Sequence, residues 1–237
     1  MDLSIVIPAF NEAERLPPSL RSILEHFHGD RRSWELIIVD DGSTDDTAKR
    51  AAAMAPQARI IRHPHNLGKG AAVRTGMLAA RGEWRYLCDA DLSTPIAELE
   101  KLLTYGADAD IILGSRRAPG ATIGRRQPRW KVWLGQGANM LIQLLVAPGI
   151  KDTQCGFKLF HHRTMKIFEL QRNNRFGYDF EDIYLARLAG YRLREVPVTW
   201  NNDQRTKVRR RDYLITLIEL LKIHFNRWRG AYRALTH

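Results

Sequence analysis

Trp84-Arg85-Tyr86-Leu87-Cys88-Asp89-Ala90-Asp91 is an apolar, aromatic run that ends in two carboxylates one residue apart. The run reads as a strand. In a strand, residues i and i+2 point to the same side, so Asp89 and Asp91 are expected together at its C-terminal end. Ligands of open α/β sheets bind at that edge. Hard oxygen ligands suit Mg²⁺ or Mn²⁺, which are commonly shared with substrate phosphates. The pair therefore points to a phosphate-bearing substrate, a nucleotide diphosphate before others, and a divalent cation. Asp-x-Asp alone also fits a solvated turn with two acids, so its surroundings must decide.

Working outward, the first half alternates strand and helix patterns. Leu3–Ile7, Trp34–Val39 and Arg59–Arg62 read as strands, and Trp84–Cys88 is the fourth. Helical spacing covers Glu12–His28, Thr44–Met54 and Lys69–Ala80. Such alternation predicts a parallel sheet covered on both faces. Asp110–Leu113 and Phe157–Phe160 look like further strands, and Arg192–Val198 alternates like an edge strand. The expected fold class is α/β: a mostly parallel, Rossmann-like sheet with helices on both faces. Residues 1–210 are expected to form one domain, and 211–237 an amphipathic basic helix.

Three strand ends carry polar groups suited to a nucleotide. They are Pro8-Ala9-Phe10-Asn11-Glu12, Asp40-Asp41-Gly42-Ser43-Thr44-Asp45 and Asp89-Ala90-Asp91. Ser43-Thr44-Asp45 alone reads as a helix N-cap. Three acidic ends at one edge are harder to explain structurally, because clustered acids repel unless a cation or ligand lies between them. Asn66-Leu67-Gly68-Lys69-Gly70-Ala71-Ala72-Val73 resembles a phosphate loop but fails both tests. Gly70 follows Lys69 where the ATPase motif needs Ser or Thr, and Val73 stands where the dinucleotide fingerprint needs Gly or Ala. Lys69 and free amides at this helix start could still face a phosphate.

The net charge of +11 is localised. Residues 115–131 hold six basic residues and no acid, and 201–237 hold nine against three acids. This points to an anionic partner: nucleic acid, an anionic membrane or a substrate phosphate. No helix-turn-helix, zinc or RNA-binding motif accompanies the charge, and acidic strand ends would repel a nucleic-acid backbone, so no nucleic-acid partner is expected. No stretch of about 18 uncharged apolar residues occurs, so no membrane-spanning helix is expected. The N-terminus has no basic n-region and reads as a strand, not a signal peptide. Two cysteines, Cys88 and Cys155, are expected as reduced thiols in the cytosol.

Two helical patterns stand apart. Trp130–Val146 is apolar over much of its circumference and follows the first basic cluster. Asp212–Arg229 carries Leu214, Leu217, Ile218, Leu221, Phe225 and Trp228 on one stripe, and Asp212, Thr216, Glu219, Lys222, Asn226 and Arg229 on the opposite one. Such a helix either packs its apolar stripe on its own domain or lies in a membrane interface.

The strand-end motifs, together with Asn66-Leu67-Gly68-Lys69-Gly70, resemble glycosyltransferase family 2, which has the GT-A fold. Gly114-Ser115-Arg116, Asp152-Thr153-Gln154-Cys155-Gly156-Phe157-Lys158, Phe176-Gly177-Tyr178-Asp179-Phe180-Glu181 and Val196-Pro197-Val198-Thr199-Trp200 are similar to its polyprenyl-phosphate branch, most closely the dolichyl-phosphate β-glucosyltransferases. The resemblance implies inverting transfer of a sugar, glucose before mannose, from a nucleotide diphosphate to a dolichyl or undecaprenyl phosphate. It implies Asp91 and Asp89 as metal ligands for Mg²⁺ or Mn²⁺. Pro8, Phe10, Asn11, Glu12, Asp40, Asp41, Gly68, Lys69, Asp89 and Ala90 would bind the nucleotide-sugar, UDP-glucose favoured. Ser115, Arg116, Arg117, Arg126, Arg129, Lys207 and Arg209 would hold the acceptor phosphate, with Arg116, Asp152, Asp179 and Glu181 in catalytic roles. An N-cap reading competes for Asp179. The acceptor phosphomonoester is already a nucleophile, so no general base is needed. A lipid acceptor implies a peripheral enzyme on the cytosolic face of an anionic membrane.

Overall fold

In the computed structural model, residues 1–124, 140–201 and 210–235 are described, with side chains of the last segment from residue 215. Strand β1 (Leu3–Ala9) is buried along its whole length. Both of its faces are covered, which is why it reads as one unbroken apolar run. Parallel to it lie β2 (Trp34–Asp40) and β4 (Trp84–Leu87), and β3 (Arg59–Arg62) follows β2 at the edge. The full order is β3-β2-β1-β4-β7-β5-β8, with β5 at Ile111–Ser115, β7 at Lys158–His161 and β8 at Leu193–Pro197. Strand β7 runs antiparallel to both β4 and β5. The sheet is thus mostly parallel, as expected, with one reversed strand that βα alternation did not foresee. Short strands β6 (Thr122–Ile123) and β9 (Thr199–Trp200) pair separately. Strand β8 is an edge, as its alternation suggested, and it ends at Pro197, a residue suited to an edge.

Successive β1 residues face opposite layers. Val6 and Val39 pack with Val73 and Met77 of helix α3 (Lys69–Ala79), and with Phe168 of α5 (Lys166–Leu170) and Phe180 of α6 (Tyr178–Leu188). Ile5, Ile7 and Ile38 pack with Leu16, Leu20 and Ile23 of α1 (Leu16–His26), Ala51 of α2 (Thr47–Met54) and Leu99 and Leu102 of α4 (Glu98–Leu103). Helix α1 starts four residues later than its spacing suggested. Residues 12–15 form a turn, and prolines 17 and 18 sit in the first helical turn, where no intrahelical N–H is needed.

The C-terminal helix α7 (Arg210–Trp228) corrects the expected division of its faces. Leu220 and Ile223 are buried, and so is Glu219, which had been placed on the outward polar stripe. The Glu219 carboxylate accepts the Gly177 N–H at 2.8 Å. Of the two placements expected for the apolar stripe, the structure does not show packing on the domain: Leu217, Ile218, Leu221, Phe225 and Trp228 are all exposed, Trp228 by 80%. Most of the predicted helix Trp130–Val146 lies outside the described residues. Its end, 140–145, is helical, with Met140, Leu141, Leu144 and Leu145 exposed and Ile142 buried.

Candidate active site

Strands β1, β2, β4 and β5 point the same way, so their C-terminal ends share one edge. Because β7 is reversed, its N-terminal approach, residues 152–157, reaches that same edge. On one side of β1 lie β2 and β3, and on the other β4. This is the switch point at which open α/β sheets bind ligands.

Asp89 and Asp91 stand at this point, in a turn rather than in the strand. Pairing ends at Leu87, opposite Lys158 and Val6, and the Leu92 N–H returns to the Asp89 carbonyl at 3.0 Å. Leu92 adopts φ +46° to close the turn. The two carboxylates are therefore brought together by a turn, not by strand alternation. Lys69 Nζ donates to Asp89 Oδ1 at 2.6 Å. Asp91 Oδ1 accepts from the Ser93 N–H and hydroxyl, and Arg15 Nη1 reaches Oδ2 at 3.3 Å. Arg15 is itself forked onto Glu12 at 2.5 and 2.6 Å, so the first strand end is tied to the fourth. A Cβ on Gly156 would overlap the Asp89 carboxylate, so any larger residue there would displace Asp89.

Burial and the charge of Asp89 push the Asp91 carboxyl above its ordinary range, against the Ser93 hydrogen bonds and Arg15. Burial opposes the charge on Lys69, but Asp89, Asp179 and Asp91 outweigh it and hold the ammonium well above the usual value. Asp89 and Asp91 thus sit at this turn as two close, partly buried carboxylates with Lys69 and Arg15 as their cations. A divalent ion fits it: two carboxylates on one turn plus substrate diphosphate oxygens make the oxygen-rich set that Mg²⁺ or Mn²⁺ takes. Among the described residues no cluster of three or more His, Cys, Asp or Glu could hold a metal without substrate.

The second strand end is used differently. Asp40 is buried; its Oδ1 accepts the Ser43 N–H at 3.0 Å, and Arg62 Nε lies 3.1 Å from Oδ2. Asp41 is committed to its own loop. It accepts from His63 Nδ1, Asn66 Nδ2 and the N–H groups of Leu67 and Gly68 at 2.7–3.0 Å. In this arrangement both Asp41 oxygens are engaged within the loop, so a contact to a base or ribose would need one of these bonds to open. Likewise, the amides at the start of α3 are not free. Gly70 and Ala71 donate to the carbonyls of Arg175 and Asn174. Gly68, at φ +103°, lies so close to Asn174 that a Cβ would overlap its carbonyl. What faces the edge here is the Lys69 side chain. Asn11, at φ +53°, accepts the Thr44 N–H at 2.9 Å and donates its own N–H to Ser43 Oγ. Pro8 and Ala90 are buried, while Phe10 and Asn11 are partly exposed beside them.

At the fifth strand end, Ser115 Oγ accepts from the Arg117 and Ala118 N–H groups, which fixes the turn. Arg116 is forked onto Asp152 through Nε and Nη2 at 2.7 and 2.8 Å, and its guanidinium lies over the Trp200 ring at 5.3 Å. Burial opposes both charges, but each partner stabilises the other: Asp152 is held below and Arg116 above its ordinary range. Arg117 is exposed and has no ion pair among the described residues. Arg126, Arg129, Lys207 and Arg209 lie outside the described residues.

Asp179 is not an N-cap. It lies inside the first turn of α6 and pairs with Lys158 Nζ, both buried. Glu181 turns away from the edge. It accepts from the N–H groups of Arg172 and Asn173 and from the Tyr232 hydroxyl, bracing the C-terminal segment. Burial raises its carboxyl above the usual range. This bond set gives Glu181 a structural part in joining the 172–173 loop to Tyr232, beside the catalytic role expected for it. Lys158, Arg15 and His63 take part in the architecture of the edge without having been singled out. Asp182 was missed as well: it is buried, and neither oxygen has a hydrogen-bond partner among the described residues. Burial raises its carboxyl strongly. The thiols of Cys88 and Cys155 are free and buried, and burial pushes Cys155 up to about 12.

Residues 4–168 match the glycosyl transferase family 2 profile. A dolichyl-phosphate beta-glucosyltransferase of Trichomonas vaginalis is 38% identical over 93% of this chain and 70% of its own length. The human dolichyl-phosphate beta-glucosyltransferase is 31% identical over 87% of this chain and 69% of its own. Among solved structures, Mycobacterium tuberculosis glucosyl-3-phosphoglycerate synthase, crystallised with Mn²⁺, UDP-glucose and phosphoglyceric acid, superposes with a TM-score of 0.69 at 17% identity. That match covers 94% of this chain and 79% of the other. Mannosyl-3-phosphoglycerate synthase from Rubrobacter xylanophilus gives a TM-score of 0.70 at 17% identity, over 98% and 75%. Both structural matches establish a shared fold.

Proposed function

This chain belongs to glycosyl transferase family 2, and on that premise we propose that it transfers glucose, with inversion, from UDP-glucose to a polyprenyl phosphate of the dolichyl type. The observation that carries the reading is the length of the match to dolichyl-phosphate beta-glucosyltransferases, which spans both the acidic turn and the Asp152–Lys158 approach. An oxygen of the acceptor phosphate attacks the anomeric carbon. The bond from that carbon to the diphosphate breaks, and its electron pair leaves with UDP. A phosphomonoester carries about −1.5 to −2 charge at neutral pH, so no proton need be removed from it. The fate of the other acids supports this. Asp152 is paired with Arg116, Asp179 with Lys158, and Glu181 is turned away.

Asp91 and Asp89 would hold Mg²⁺ or Mn²⁺, which when bound neutralises charge on the leaving diphosphate. Lys69 then turns from Asp89 to the phosphates. Arg116, held flat by Asp152 and Trp200, keeps Nη1 for the acceptor phosphate, and exposed Arg117 adds a second cation. The test is a panel of UDP-glucose, UDP-galactose and GDP-mannose with a short dolichyl phosphate. UDP-glucose is expected to transfer fastest. Faster transfer from GDP-mannose would overturn the choice of sugar.

A prenyl tail does not leave the bilayer cheaply, since each buried CH₂ is worth about 0.8 kcal/mol. The enzyme must meet its acceptor at the surface, on the side where nucleotide-sugars and reduced thiols are found. The outward stripe of α7 and the exposed leucines of 140–145 suit that contact. No helix among the described residues is long and apolar enough to cross a membrane. Phe225 and Trp228 lie with ring centroids 6.0 Å apart, both exposed, and the Arg229 guanidinium covers the Phe225 ring at 5.3 Å. Placing one such side chain in lipid contributes about 1.5–3 kcal/mol. F225E/W228E is therefore expected to reduce cosedimentation with phosphatidylglycerol vesicles at least about tenfold, with unchanged thermal stability. Sedimentation equal to wild type would remove α7 from the membrane contact.

A further inference from the structure

A second basic site lies on the flank of α7. Between this helix and the loop 172–175 is a cleft of about 670 Å³, lined by Arg172, Asn173, Arg175, Ile218, Glu219 and Lys222 among others. Arg172, Arg175 and Lys222 are exposed, and none makes an ion pair among the described residues. The one acid, Glu219, is buried and spent on the Gly177 N–H at 2.8 Å. Asn173 is fixed, its amide donating to the Glu219 carbonyl and its N–H to Glu181. Three cations that form no ion pair among the described residues thus line one concave site, and the single buried carboxylate beneath them, Glu219, offsets Lys222 and Arg175 only in part.

Its position on the helix says what would fill it. Successive residues advance about 100° around a helix. Leu217, Leu221, Phe225 and Trp228 define the exposed apolar stripe, Ile218 marks its border, and Lys222 and Glu219 follow in order towards the buried face. An interfacial helix sinks its apolar face about 5–10 Å into the headgroup and acyl boundary. Residues on its flank then stand at the level of the lipid phosphates. Ile218 belongs to both the stripe and the cleft, so a diacyl lipid could bring its headgroup into the cleft while its chains run beside the stripe.

We propose that this cleft binds the phosphate headgroup of an anionic phospholipid, a site separate from the one that holds the acceptor phosphate. It rests on the reading that α7 lies on a membrane. The loop 172–175 also supports the active site from behind, since the Asn174 and Arg175 carbonyls receive the Ala71 and Gly70 N–H groups next to Lys69.

The experiment uses the full chain and R172Q/R175Q/K222Q, which removes the three charges and leaves every backbone bond. Dihexanoyl phosphatidylglycerol, dihexanoyl phosphatidylcholine and inorganic phosphate are titrated separately below micelle formation, and the amide resonances of the loop 172–175 and of Lys222 are followed. Saturable shifts are expected with phosphatidylglycerol. Phosphatidylcholine and phosphate should bind at least about tenfold more weakly, and the variant should lose about fivefold in affinity for each cation neutralised. Equal binding of inorganic phosphate would make this a site for a free anion and overturn the lipid assignment. So would wild-type affinity in the variant. Turnover with a water-soluble short-chain acceptor is measured alongside. The variant should keep it, because the cleft does not hold the acceptor; its loss, with thermal stability intact, would overturn the separation of the two sites. If wild-type protein transfers no sugar but still titrates with phosphatidylglycerol, the proposed reaction fails and the cleft stands.

Discussion

Asp91→Asn lowers turnover by at least about 10²-fold, the scale on which a site loses one principal electrostatic stabiliser of the leaving group. The substitution is nearly isosteric. An asparagine carbonyl still accepts both Ser93 hydrogen bonds, so the 89–92 turn should close as before. Arg15 loses one contact but keeps its fork on Glu12. What goes is a negative charge at the place where burial and Asp89 already make a second charge costly. A bound divalent cation would offset that cost, so the defect should be in kcat and in the Mn²⁺ or Mg²⁺ concentration needed for half-maximal rate. Thermal stability without metal should be unchanged or slightly higher, since a repulsion has been removed. Excess EDTA should abolish wild-type transfer. Full activity in EDTA, or an Asp91→Asn enzyme within a few-fold of wild type, would remove the metal from the reaction.

The positions of the site were more legible in the sequence than its bonding. Strands β1 and β2 are covered on both faces, so their apolar runs are unambiguous, and the acids that follow them had to lie at one edge. That edge is where the structure puts Asp89, Asp91, Lys69 and Arg116. Which acids face a ligand and which serve their own loop was not legible. Asp40 and Asp41 are neighbours at a strand end, yet Asp41 is consumed by the loop 63–68, whose return depends on tertiary packing. The direction of β7 was hidden because a four-residue strand pattern, here Lys158–His161, reads the same both ways. On α7, two apolar faces compete: Leu220 and Ile223 on one side, and the five-residue stripe on the other. Periodicity marks the larger stripe but leaves open whether it packs inward or lies in an interface. In the structure the smaller face is buried, with Glu219 beside it on the Gly177 N–H, and the larger face is outward.

Lys158→Met destabilises the protein by about 3–5 kcal/mol, the usual effect of removing one partner of a buried ion pair. Lys158 lies almost wholly inside, on β7, with its ammonium on Asp179 and 5.5 Å from the Tyr178 ring. Methionine fills the same space but leaves Asp179 buried without its cation, next to Asp182, whose oxygens already lack partners. Domains hold only about 5–15 kcal/mol in total, so urea denaturation should show a large shift of the midpoint. K158M/D179N removes both charges and should recover much of the loss, because a neutral pair carries less desolvation cost than a lone carboxylate. This double variant also decides what Asp179 does. If stability and turnover return together, the pair is a strut that holds β7 against α6 beneath Asp89, and Asp179 acts through Lys158. If stability returns and turnover does not, Asp179 exchanges its lysine for the substrate during the reaction and touches the sugar itself. A loss below about 1 kcal/mol in Lys158→Met would mean that water or a proton already compensates the pair, and the strut would be discarded.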